Sequence, residues 1–263
     1  MKQNQVVEKQ NTALALSGQF EEDVGGGFET ADSSAYAIPF LAILQSGSPQ
    51  VKKSDGAYIK GAEEGMLYNT VTQQVHDGAI GVVVVPFAFK RSFIKWAPRD
   101  SGGGFKGELQ PSDPQVQAGV MDTAGRLIDG DGNLLSDTRT HYVMVLDDNG
   151  GYHPAVISLA STQIKKSRQW MSKMNGIKMQ RSDGTYYTPA MFSHRYKITA
   201  VPESNDKGSW FGVKVETLGA VESGELYQAA KAFRDAVRRG EAKEQAPQAA
   251  AGATFNPDAD DAY

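Results

Sequence analysis

The chain has 263 residues, 40% hydrophobic and 22% charged, with a net charge of −4. That is enough to bury a sizeable core as one domain or two small ones, and the composition is that of an ordinary soluble protein. It holds no cysteine, which excludes disulfides, thiolate zinc sites and cysteine catalysis and fits a reducing compartment.

Residues 1–32 carry Lys2 and Lys9 against six acidic residues and contain Gly25-Gly26-Gly27. Without sustained periodicity they are expected to be a flexible N-terminal arm. The opening MKQNQVVEKQNTALAL lacks the apolar core of a signal peptide, and no run approaches the roughly 18 apolar residues of a spanning helix. A cytoplasmic protein with no membrane contact is expected.

Order is expected from near Tyr36, where AIPFLAILQSGSP is an apolar run bounded by Pro39 and Pro49. GMLYNTVTQQV (65–75) reads as one strand between turns. AIGVVVVPFAFKRSFIKWAP (79–98) is the strongest strand. Val82 to Val85 must be buried on both faces, and Pro86 calls for a bulge or an edge. Residues 99–125 read as a Gly- and Pro-rich loop, and IDGDGNLLSD as a turn or hairpin. THYVMVLD and YHPAVISLA form a hairpin across Asn149-Gly150.

Ser161 is placed to cap a helix over TQIKKSRQWMSKM, with Ile164, Met171 and Met174 on one face. Strands follow at PAMFSHRYKITAV and SWFGVKVETLG. A last amphipathic helix spans about 223–239, carries Leu226, Ala230, Phe233 and Val237 on one stripe, and stops at Gly240. The rest is of low complexity and expected to be disordered. Short strands with two helices, one of them between strands, predict a mainly β fold: a small barrel with insertions.

No enzymatic motif emerges. His76, His141, His153 and His194 show no zinc spacing. DGDGNLLSD (129–137) begins like a calcium loop but has Leu134 where Gly is needed and Thr140 where the bidentate Glu belongs. Asp147-Asp148 sits in a turn that favours Asp for backbone reasons. Gly102-Gly103-Gly104 lacks the lysine of a phosphate loop. No catalytic residue, metal or cofactor is expected.

Charge is unevenly distributed. Residues 165–214 hold ten Lys and Arg against three acidic residues. In KRSFIKWAPRDSGGGFKG, the cations Lys90, Arg91, Lys95, Arg99 and Lys106 interleave with Phe93, Trp96 and Phe105. Cations track a phosphate backbone, exposed aromatics stack on unpaired bases, and glycines permit close approach. The competing reading makes Phe93 and Trp96 core residues and the cations a solubilising edge. A second cluster, Lys165, Lys166, Arg168, Trp170 and Lys173, repeats the pairing of cations with a tryptophan, and Arg195 and Lys197 add further charge.

The chain closes with a bland spacer and FNPDADDAY. IPFLAILQSGSPQV, GMLYNTVTQQV and FIKWAPRDSGGGF, with that ending, resemble the OB-fold single-stranded DNA-binding proteins of tailed bacteriophages. The resemblance covers roughly residues 36–107 and the tail. The tail departs from the bacterial Pro-Phe ending, since Tyr263 keeps the aromatic and the carboxylate but not the proline. The resemblance implies an OB-like five-stranded barrel over residues 33–240, with inserted helices and long loops, followed by a linker and acidic tail over 241–263. It implies a sequence-nonspecific protein that coats and protects single-stranded DNA in phage replication or recombination, in the host cytoplasm. Its tail residues Asp258, Asp260, Asp261 and Tyr263 would recruit a polymerase, helicase, primase or recombinase. A virion structural or assembly protein is the rival class, and a nuclease with an unrecognised carboxylate site the third.

Overall fold

A computed structural model describes residues 19–24, 26–27, 29–30, 37–98, 102–206 and 208–242. The chain divides into two compact units, Met1–Tyr36 and Ala37–Tyr263. In the first, residues 19–22 make one helical turn, closed by Asp23 N–H donating to the Gln19 carbonyl at 3.0 Å. Most of the expected arm, and the linker and tail from residue 243 on, lie outside the described residues.

The second unit starts with β1 (Leu41–Ile43), β2 (Leu67–Asn69) and β3 (Val75–His76), a small antiparallel sheet. Residues 65–75 are thus a hairpin rather than the single strand expected. Asn69 Oδ1 accepts the Val71 and Thr72 N–H groups at 3.0 Å each and turns the chain between β2 and β3. The large sheet holds β4 (Val82–Trp96), β5 (Phe105–Leu109), β6 (Val120–Met121), β7 (Leu127–Ile128), β8 (Leu134–Leu146) and β9 (Tyr152–Ala160). A helical turn α1 (Pro114–Gln117) interrupts the span read as loop, and α2 (Ile164–Gly176) follows β9. Then come the isolated hairpin β10 (Met179–Gln180) and β11 (Tyr186–Tyr187), the long β12 (His194–Asn205) and β13 (Gly208–Ala220), and α3 (Gly224–Arg239).

Five strands carry the architecture. β4 pairs with β8 and β12, β8 with β9, and β12 with β13, all antiparallel. In chain order, the first long strand therefore pairs with the second and fourth, and α2 lies between the third and fourth. The sheet curls into a half-barrel, and the fold is mainly β, barrel-like and OB-like, as expected.

Segment 39–45 bridges the two outer strands, β9 and β13. On the β9 side, Phe40 forms a parallel bridge with Val156, whose N–H donates to the Pro39 carbonyl at 2.8 Å. On the β13 side the Gln45 side chain replaces a strand backbone. Its amide donates to the Phe211 carbonyl at 2.9 Å and accepts the Phe211 N–H at 2.8 Å. Gln163 adds another such bond by accepting the Val213 N–H at 2.9 Å. Outer-strand backbone groups that would otherwise face desolvation are satisfied in this way.

The apolar run of β4 feeds two core clusters. Val82 and Val84 join one with Val143, Val145, Ile157, Leu159 and Ile198. Val85 and Phe87 join the other with Tyr142, Met144 and the α3 residues Leu226, Ala230 and Ala236. A bulge between Pro86 and Ala88 shifts the register against β8, which accommodates the missing proline donor inside a long strand. Fully burying Phe87 contributes about 1.5–3 kcal/mol. α3 begins and ends as its sequence predicts: Ser223 Oγ accepts the Leu226 N–H at 3.2 Å, and Gly240 takes φ 73° as the left-handed stop.

α2 differs from expectation at its start and on its face. Ser161 has φ 54° and opens a 3-10 turn, while Gln163 stands at the N-cap. The residues buried are Ser167, Trp170 and Met174, one turn face that the apolar pattern alone did not select because Ser167 is polar.

Candidate nucleic-acid interface

The second half of β4 ends in an aromatic pair at the mouth of a glycine loop. Trp96 is half-buried and meets Phe105 edge-on, with ring centroids 6.0 Å apart. Phe105 is 39% exposed. Between them Gly102, Gly103 and Gly104 all have positive φ (91°, 64° and 110°). The Ala97 N–H donates to the Gly104 carbonyl at 2.9 Å and closes the loop. Positive φ at three successive positions is a conformation that side chains with a Cβ resist. Lys106 is exposed beside the pair. Arg99 lies outside the described residues.

Phe93 is core: it is 7% exposed, packs with Val116 and Leu135, and has the Arg91 guanidinium 5.5 Å from its ring centre. It offers no face to a base, which corrects the expectation from sequence.

The β4 cations are paired. Lys90 meets Glu108 at 2.9 Å. Arg91 grips Asp137 with two nitrogens, at 3.1 and 2.9 Å, and Arg139 shares that carboxylate at 3.1 Å. A partly exposed pair such as Lys90–Glu108 contributes about 0–1 kcal/mol, whereas the two-nitrogen grip of Arg91 on a carboxylate shared with Arg139 is a firmer network.

Lys95 is different. Its ammonium sits 2.6 Å from Asp129, whose side chain is 4% exposed. Asp129 also accepts the Asp131 and Asn133 backbone N–H groups and the Asn133 side-chain amide. Burial alone would raise the Asp129 carboxyl, but Lys95 and these donors outweigh it and hold it at about 2. The stretch that opens like a calcium loop is therefore a turn whose carboxylate is occupied by lysine. Lys95 belongs to the fold and not to a phosphate track.

The second cluster comes apart in the same way. Trp170 is fully buried, stacked on His141 at 4.5 Å and edge-on to Tyr196 at 5.8 Å. It is a core residue and corrects the stacking role expected for it. Lys166 binds Glu203 at 2.6 Å and Lys173 donates to the Val215 carbonyl at 2.7 Å, so both fasten α2 to the β12–β13 pair. Burial would raise the Glu203 carboxyl, yet Lys166, Gln163 and Trp210 donate to it and keep it below its ordinary value. Arg195 pairs with Glu222 at 2.8 Å, and Lys197 stands opposite Glu216 in the strand register. Lys165 and Arg168 remain exposed on the outer side of α2.

A feature not singled out from the sequence is the β10–β11 hairpin. RSDGTYY held the signal, an Asp-Gly turn followed by paired tyrosines. Tyr186 is 67% exposed, and the Arg181 guanidinium covers the Tyr187 ring at 4.6 Å.

The fold and these surfaces define a mainly β, barrel-like protein with a few helices and mixed aromatic and basic loops. The model of the Pam3 phage gp34-like protein family matches residues 8–243, and the chain belongs to this family of phage proteins. No curated protein and no solved structure matches it. Among the described residues no helix is long and apolar enough to cross a membrane, and no three His, Asp or Glu residues are grouped to hold a metal ion.

Proposed function

We propose that the protein binds single-stranded DNA without sequence preference and coats it during phage DNA replication or recombination in the host cytoplasm, without acting as an enzyme. One observation carries this reading: the half-exposed Trp96–Phe105 pair, with Lys106 and the Gly102–Gly104 loop, stands where the first long strand enters the connection to the second. In OB barrels that connection is one of the two loops that hold oligonucleotides. A Trp and a Phe with partly open faces offer stacking surfaces to any base, and Lys90, farther back on the same strand, holds a partly exposed pair that phosphate can replace.

Fluorescence anisotropy with a labelled oligo-dT tests the reading. Single strands should bind more tightly than duplex of equal length, and affinity should fall with salt. For contacts with roughly three to five phosphates, the log–log slope is about −2 to −3.5. Trp96→Ala should cost about 1–3 kcal/mol of binding if a base stacks there. Equal affinity for duplex and single strands would remove base stacking, and no affinity for either would favour a virion structural or assembly role.

The acidic Asp258, Asp260 and Asp261 with Tyr263 belong to the same proposal as a recruiting tail that competes with phosphate for the basic surface. Deleting residues 254–263 should raise oligo-dT affinity at low salt, with the gain shrinking as salt screens the competition. The deletion should also abolish capture of a polymerase, helicase, primase or recombinase. Unchanged affinity and unchanged capture would leave the tail neither role.

A further inference from the structure

We propose that the β10–β11 hairpin and the outer face of α2 form a second contact for the same nucleic acid, with Tyr186 stacking on a base and Lys165 and Arg168 following the phosphates. The inference rests on the single-strand reading above but on different residues. Residues 164–188 carry six Lys and Arg against one acid, Asp183. That carboxylate accepts both the backbone N–H (2.9 Å) and the hydroxyl (2.7 Å) of Thr185 and is committed to the hairpin turn. Lys166 and Lys173 hold the helix to the sheet. Lys165 and Arg168, three residues apart and so on one side of the helix, have no hydrogen-bond or ion-pair partner among the described residues.

The hairpin is braced before any ligand arrives. Lys178 donates to Thr188 and to the Asn175 carbonyl, tying the hairpin to the end of α2. Arg181 N–H donates to the Thr185 carbonyl at 2.8 Å and its guanidinium covers Tyr187. Tyr186 pairs across the strands with Gln180, so alternation puts it on the opposite face from the Arg181–Tyr187 stack. An aromatic ring 67% exposed on a braced hairpin buries little of its own protein. Held this way, it loses little freedom when a base covers it. The surroundings favour nucleic acid over a protein or lipid surface, because cations outnumber exposed apolar side chains along the stretch. From Lys165 to Gly176, the end of α2 where the hairpin begins, is eleven residues, about 16 Å along the helix and a span of a few nucleotides.

The full chain is titrated with oligo-dT by anisotropy and photocrosslinked to the same oligonucleotide carrying 5-iodo-deoxyuridine. Tyr186→Ala should weaken binding about 5- to 150-fold, while Tyr186→Phe keeps the ring and restores it. Lys165→Glu with Arg168→Glu should flatten the salt slope by about 1.4. Crosslinks should fall on the peptide containing Tyr186. Wild-type binding that Trp96→Ala weakens but the Tyr186 and double-charge variants leave unchanged would overturn this contact and keep the reading above. Tyr186→Phe as weak as Tyr186→Ala would overturn stacking. Absence of any oligo-dT binding by the wild type would overturn both.

Discussion

Trp170→Ala is expected to lower the folding free energy by about 3–5 kcal/mol, the cost of removing a large aromatic from a packed core. Trp170 is fully buried and wedged between His141 and Tyr196. Its loss would leave a cavity among side chains of α2, β8 and β12 that belong to different elements and cannot collapse together. Trp170→Phe keeps a ring beside His141 and should lose less. Chemical denaturation checks both, and the folded fraction of Trp170→Ala should bind oligo-dT as the wild type does. Weak binding by a stable Trp170→Ala protein would return this tryptophan to the interface.

The same cluster has a pH signature. Burial, helped by the nearby Arg139 charge, pushes the His141 imidazole down to about 3, and its Nε2 lies 2.7 Å from Ser167 Oγ. The unfolded chain takes up a proton near pH 6.5, whereas the folded one does so only near pH 3. Stability from this residue is therefore complete above about pH 6.5 and falls by up to ~1.4 kcal/mol per pH unit between those limits. His141→Phe should flatten that slope by one proton; equal slopes would mean that His141 is not buried neutral.

Asp129→Asn is the second large effect. The amide oxygen can still accept the Asp131 and Asn133 N–H groups, but an NH2 donor replaces the oxygen that accepts from Lys95 and from the Asn133 side chain, so the charge beside Lys95 and those two bonds are lost. The Lys95 side chain is 15% exposed, and its nearest other carboxylate, on Asp131, is 4.0 Å away and 85% exposed. The expected cost lies toward the lower end of the about 3–5 kcal/mol for breaking a buried pair. Lys95→Met combined with Asp129→Asn should recover part of it, since no unpaired charge then remains. With Asp129 held at about 2, the wild-type stability it supplies, about 2 kcal/mol, is present above pH 4 and lost as pH falls toward 2. That window lies mostly below the one in which His141 acts, so the two are separable in one acid titration. An unchanged melting temperature for Asp129→Asn would mean that Lys95 is not held by the fold and is available to phosphate.

Much of the fold is legible in local pattern, because local physics decides it. VVVVP predicts a strand buried on both faces with a bulge or an edge at Pro86; the buried strand is present, and of the two alternatives the bulge. Asn149-Gly150 turns β8 into β9 with Gly150 at φ 86°, and Ser223 and Gly240 bound α3. These features depend on neighbours in the chain, so composition and spacing suffice to find them.

The candidate site is less legible in the sequence, for two reasons. The pattern of cations beside aromatics is the same whether an aromatic faces solvent or core, and it does not say which carboxylate lies across the sheet. Phe93 and Trp170 are core, and Lys95 is spent on Asp129, while Trp96 and Phe105 keep partly open faces. Glu108, Asp129, Asp137, Glu203 and Glu222 reach their cations only through strand pairing and loop closure over 18 to 46 residues of chain.

By itself the sequence determined a mainly β chain with two sizeable helices, its turns and the ends of α3. Tertiary structure decided which way α2 turns its face, how segment 39–45 bridges the outer strands, and which cations stay unpaired. Those outcomes follow from desolvation and long-range hydrogen bonding, which act only once distant residues have been brought together.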